Sequence, residues 1–115
     1  RAGIDRGVMY TMHQDTPVVP PDMLLTIWAA VNRVSKNGTD MGADQRISVW
    51  EALRGVTINA AYQYFEEKEK GSIEPGKRAD LVILDHNPLA VPAMELKNIK
   101  VLETIKDGTA IYQAE

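Results

Sequence analysis

The apolar spacing of this chain changes period once, after the charged run that ends at Lys70, and that change bounds what it can fold into. Before it, Met23, Leu24, Ile27, Trp28, Val31 and Val34 recur at the three-to-four-residue spacing that places them on one face of a helix. After it, Ala79 to Leu84 and the two runs flanking Asp107-Gly108 are short and β-favouring. The one strand signal ahead of the helices is Gly7 to His13, where Val8, Met9, Tyr10, Thr11 and Met12 form a compact run closed by a polar turn. A single strand followed by helices cannot close a sheet. The first half therefore reads as the last βα element of something larger, and the class as α+β.

The local signals fill in this plan. Pro17, Pro20 and Pro21 fix a non-helical path, Pro21 suits the first turn of a helix over 22–35, and Asn37-Gly38 tolerates the left-handed conformation expected at its end. Ser48-Val49-Trp50-Glu51 fits a capping box, and the helix behind it turns Val49, Leu53, Val56, Ala60 and Tyr64 to one side. Asn59 is a candidate cap for a separate short helix there. Both tryptophans fall on apolar helix faces and are expected in the core. Glu66 to Lys70 reads as a solvated helix end. Glu74-Pro75-Gly76 is a turn leading into a buried strand over 79–84, and Asp107-Gly108 suits a type I′ hairpin turn.

Composition excludes several classes. The 115 residues carry a net charge of -3, with lysines and arginines scattered rather than massed on a face, so nucleic acid is not an expected partner. No apolar run approaches the roughly 20 residues that span a bilayer, so no membrane partner is expected either. The absence of cysteine rules out disulfides and thiolate zinc sites, and fits a cytoplasmic protein. Starting at Arg1 without methionine suggests a truncated or processed product.

His13-Gln14-Asp15 is the one place where two metal-competent side chains fall close together, at the C-terminal end of the first strand. Active sites of (β/α)₈ barrels are built at that end. The same Asp before Thr-Pro is also a turn former whose carboxylate binds nearby backbone amides. His86 reads as a surface histidine, and Asp80 and Asp85 as capping or solvent-facing groups flanking a strand. There is no Walker loop, dinucleotide-binding glycine pattern, His-Glu-x-x-His or Gly-x-Ser-x-Gly.

Taken in order, His13-Gln14-Asp15-Thr16-Pro17-Val18, Ile27 to Arg33, Gln45-Arg46-Ile47-Ser48, Thr57-Ile58-Asn59-Ala60-Ala61, Gly71 to Leu84 and Asp107-Gly108 resemble the C-terminal landmarks of the amidohydrolase superfamily, nearest its YtcJ- and AepA-like branch. The resemblance covers nearly the whole chain. It implies a parent with a metal-binding (β/α)₈ (TIM) barrel and a small β-sandwich assembled as a composite domain from both chain ends. Residues 1–70 would be the last barrel strand and its trailing helices, and residues 71–115 the C-terminal sandwich strands.

By the same resemblance, Asp15 matches the aspartate after the final barrel strand, which contacts the catalytic metal and takes a proton from the attacking water. His13 would orient Asp15 or line the substrate pocket. The implied cofactor is a divalent ion, zinc above all, and the implied substrate a small-molecule amide or formamide cleaved at a non-peptide carbon–nitrogen bond. The family gathers further histidines from other strands, whereas this sequence has two in total. A catalytic zinc takes three protein ligands and an open position, so the segment alone is expected to bind no metal and to be inactive. A stand-alone interaction domain derived from such an enzyme is the competing reading. A second chain supplying the missing strands, or a homo-oligomer formed through exposed apolar surface, would complete the fold.

Overall fold

The computed structural model describes residues 1–12, 22–35 and 37–114. In chain order they form helices α1 (Ala2–Asp5) and α2 (Met23–Asn32), a 3₁₀ turn (Ala43–Gln45), helices α3 (Val49–Val56) and α4 (Ile58–Gln63), strand β1 (Leu81–Leu84), a 3₁₀ segment (Ala93–Asn98), and strands β2 (Val101–Lys106) and β3 (Thr109–Gln113).

Helix α2 starts where its cap lies. The Asp22 carboxylate accepts the Leu24 and Leu25 backbone N–H groups at 3.1 and 3.2 Å, satisfying donors that a first turn leaves open. The helix ends short of the expected Ser35, because Arg33 itself enters the left-handed region at φ 53°, ψ 47°. Tertiary pairing then takes over: Met41 N–H donates to the Arg33 carbonyl at 2.8 Å, Ser35 N–H donates to the Thr39 carbonyl, and Val34 and Asp40 form an isolated antiparallel bridge.

Ser48 and Glu51 make the expected reciprocal cap on α3. Glu51 N–H donates to Ser48 Oγ at 3.0 Å, and Ser48 N–H donates to Glu51 Oε1 at 2.9 Å. The interruption expected over Thr57-Ile58-Asn59 is found at Thr57, with φ -119° and ψ -96°. Thr57 Oγ donates back to the Leu53 carbonyl at 2.7 Å, and Asn59 is buried inside α4 instead of capping it. Trp50 also departs from expectation: at 59% exposure it faces out, because the small Ala52 and Gly55 are the residues α3 buries. Tyr64 is exposed as well.

The core draws on both ends of the chain. Leu24, Ile27, Trp28 and Val31 from α2, together with Ile47 and Ala52, enclose Leu96 and Ile99, and Leu96 is fully buried. No local periodicity marks the 3₁₀ segment that carries Leu96. Trp28 lies in the core as expected, with its indole N–H donating to the Met94 carbonyl at 3.1 Å and Lys97 Nζ 4.5 Å from its ring centroid. Asn32, also buried, donates to the Trp28 and Ala93 carbonyls at 3.0 and 2.9 Å.

The three strands pair antiparallel in the order β1-β2-β3, with Leu81 opposite Ile105 and Thr104 opposite Tyr112. Asp107 and Gly108 both hold positive φ (51° and 80°), as a type I′ turn requires. Strand β1 is shorter than expected because Ala79 and Asp80 serve the turn instead: Gly108 N–H donates to the Ala79 carbonyl and Asp107 N–H to the Asp80 carboxylate. The expected burial of this strand is not found. Leu81, Val82 and Ile83 are exposed, since no described element covers them, and only Leu84 reaches the core edge.

The expected strand over Gly7 to His13 has no ladder partner across its described residues, and Val8 to Met12 carry no strand. Gly55 admits this segment against α3. A Cβ there would come within 3.1 Å of the Tyr10 ring and 3.2 Å of Met12 Cε. Tyr10 hydroxyl donates to the Glu51 carbonyl at 2.7 Å. No helix among the described residues is long and apolar enough to cross a membrane.

Candidate functional site

His13 and Asp15, the two site residues expected from sequence, lie outside the described residues. The chain leading to them is held by Tyr10 and Met12 against α3, as described above. Among the described residues no group of three or more His, Cys, Asp or Glu side chains could hold a metal ion.

The described histidine has a structural setting. His86 Nδ1 lies 3.0 Å from Asp85 Oδ1, and the same oxygen accepts the Lys100 backbone N–H at 2.9 Å. The Lys100 amide first, and then His86, hold the Asp85 carboxyl below its ordinary range. The return bond from Asp85 N–H to the Lys100 carbonyl, 3.0 Å long, makes Asp85 a clasp between the end of β1 and the approach to β2. Asp80, likewise, fastens the hairpin turn. Both fit the capping roles expected of them.

Two residues outside the expected site carry much of the polar organisation. The Glu51 carboxylate accepts from Arg1 at 2.8 Å as well as from Ser48, and the Ser48 backbone N–H is the main reason its carboxyl is held below the ordinary glutamate range. Arg33 ends α2 and sends Nη2–H to the Met41 carbonyl at 2.8 Å, while its Nε is shut from solvent without a partner. A cavity of about 370 Å³ lies where Val56 and Ala61 of the helical half face Ile73, Leu81 and Val82. It is chiefly apolar and holds no cluster of catalytic groups.

Comparison with known proteins identifies the lineage. The sequence profile of the amidohydrolase family matches residues 1–112. The N-substituted formamide deformylase of Arthrobacter pascens is 36% identical over 113 residues, covering 98% of this chain and 21% of that protein. The putative amidohydrolase YtcJ of Bacillus subtilis (strain 168) is 30% identical over 113 residues, covering 96% of this chain and 21% of that protein. The chain thus spans 21% of the length of each of these curated relatives. Among solved structures, an amidohydrolase from Thermotoga maritima MSB8 superposes with a TM-score of 0.71 at 24% identity, over 96% of this chain and 24% of that one. The guanine deaminase of E. coli gives 0.71 at 21% identity, over 99% and 30%, and at such identities the likeness concerns the fold. With a profile match over almost its whole length, a fold shared with these structures and an α+β arrangement of helices beside a small antiparallel sheet, the chain belongs to the amidohydrolase family.

Proposed function

We propose that this chain is the C-terminal portion of a metal-dependent amidohydrolase that hydrolyses a non-peptide carbon–nitrogen bond in a small molecule of the amide or formamide class. The observation that carries the reading is the continuous likeness to the Arthrobacter deformylase over 98% of the chain. Residues 1–70 supply the closing strand of a (β/α)₈ barrel and its helices, and residues 71–115 supply strands to a composite β-sandwich. Asp15 is the carboxylate that would contact the metal and receive the proton of the attacking water, and His13 would border the substrate. A divalent ion such as zinc, when bound, brings the pKa of its water to about 7. The other ligands come from barrel strands outside this sequence, so the segment alone is inactive, and the complete enzyme works in the cytoplasm.

A chimera tests this reading. With this segment replacing the corresponding fifth of the Arthrobacter deformylase, zinc-dependent formamide hydrolysis is expected to survive, and Asp15→Asn to reduce kcat at least 100-fold without loss of folding. An Asp15→Asn chimera with full activity would remove the aspartate from the mechanism. Turnover by the isolated segment with added zinc would overturn its inactivity.

A further inference from the structure

Asn37-Gly38 does not take the helix-ending place that its sequence suggests. Helix α2 ends at Arg33, and the pair forms the tip of a tight turn instead. Gly38 N–H donates to the Ser35 carbonyl at 2.9 Å, Ser35 N–H to the Thr39 carbonyl at 2.8 Å and Thr39 N–H to Ser35 Oγ at 3.1 Å. Asn37 and Gly38 are both exposed, and a Cβ at Gly38 would meet nothing within 4 Å. Gly38 holds φ 85°, the conformation a glycine supplies after such a turn.

This setting suits a reaction of the chain with itself. The backbone nitrogen that follows an asparagine can attack the side-chain carboxamide carbon when nothing crowds the approach. A side chain on the following residue obstructs that approach, and glycine has none. The single bond on Gly38 N–H lies at the surface of a short turn, where local opening costs least.

None of the other asparagines combines these features. Asn32 and Asn59 are buried within α2 and α4. Asn87 precedes Pro88, whose nitrogen carries no proton to lose. Asn98 precedes the β-branched and buried Ile99, and its own amide donates to Glu95 Oε2 at 2.7 Å.

We propose that Asn37 is a site of spontaneous deamidation. The Gly38 nitrogen gives its proton to hydroxide and bonds to Asn37 Cγ, while the Cγ–Nδ2 bond breaks and ammonia leaves. Water then opens the resulting cyclic imide at either carbonyl, giving aspartate or isoaspartate, with no oxidation or reduction. The imide has no N–H at Gly38, so the bond to Ser35 is lost. Isoaspartate lengthens the main chain by one methylene, inside the turn that closes the Val34–Asp40 bridge. The reaction therefore loosens the connection from α2 to α3, where Met41 pairs with Arg33. It is independent of Asp15 and of the hydrolytic reading.

The test incubates the purified, folded chain in mildly alkaline buffer made with ¹⁸O-water, digests it in ordinary water at mildly acidic pH, and reads the peptides by mass spectrometry. Label marks deamidation during incubation and excludes that during digestion. The Asn37 peptide is expected to take up label roughly tenfold faster than peptides bearing Asn87 or Asn98, as a mixture of aspartate and isoaspartate. Met41 N–H should exchange faster with solvent in the modified chain than in the unmodified one. An Asn37 that stays unlabelled in the folded chain, whether or not the urea-unfolded chain reacts, overturns the proposal. Labelling at Asn87 or Asn98 as fast as at Asn37, or labelling of the same peptide in Asn37→Gln at the wild-type rate, overturns it too.

Discussion

Glu51 ties together three separated stretches of chain. Its carboxylate holds the Ser48 cap and the Arg1 guanidinium, and its carbonyl accepts the Tyr10 hydroxyl. Because its carboxyl is held below the ordinary glutamate value of about 4.3, its contribution to stability is fully present above that value and lost as pH falls through the lower, folded one. Asp85, held down mainly by the Lys100 amide, acts in the same direction. Acid titration monitored by circular dichroism should therefore show stability falling below the ordinary carboxylate range, and Glu51→Gln should flatten that limb. An unchanged acid limb in the variant would show that the carboxylate is not a contributor.

At the same scale, Phe65 closes α4 with φ 60°, a left-handed backbone at a bulky residue that is 88% exposed. Its own N–H donates to the Tyr62 carbonyl and Glu66 N–H to the Ala61 carbonyl, the pattern that glycine usually serves. Phe65→Gly relieves the strain while exposing nothing buried, and should raise unfolding free energy by roughly 0.5–1 kcal/mol in urea denaturation. A loss instead would mean that the aromatic ring is engaged with something beyond this chain.

Among the elements, the helix starts were legible and the helix ends were not. A cap is written locally: Ser48 binds the amide three residues ahead as its capping box predicts, while Asp22, read as the first residue of its helix, caps it through amides two and three residues ahead. The ends of α2 and of the α3–α4 pair are set by Met41 pairing with Arg33 and by Thr57 bonding backwards, contacts no local pattern announces. Ser48→Ala should cost about 1 kcal/mol, the usual value of such a cap. The 3₁₀ segment tells the opposite story, since it has almost no periodic signal yet delivers the fully buried Leu96 to the α2 face. Leu96→Ala should cost about 2–5 kcal/mol by the cavity it leaves. Calorimetry of the two variants should rank Leu96 well above Ser48, and the reverse order would mean that the core is not centred on α2 and this segment.

For the molecule as a whole, the β-sheet is the unfinished part. Val82, Thr104 and Tyr112 align on one face, and Val82 and Tyr112 are each more than half exposed, in strands whose composition belongs to an interior. Strand β3, Thr109–Gln113, has no charged residue to discourage pairing along its edge. The isolated chain should therefore self-associate, and Val82→Lys with Tyr112→Lys should shift it toward monomer in light scattering. A wild-type chain that stays monomeric at high concentration would remove this expectation.

The order of periodic segments, the Ser48 cap, the type I′ hairpin and the family likeness were all settled by the sequence, because each depends on residues close together in the chain or on patterns along it. Tertiary structure alone decided that Trp28 is buried while Trp50 is not, that Leu96 from the C-terminal half completes the helical core, and that Arg33 turns left-handed to clasp Met41. Those outcomes depend on which surfaces meet, and burial is a property of the pair of surfaces rather than of either segment by itself.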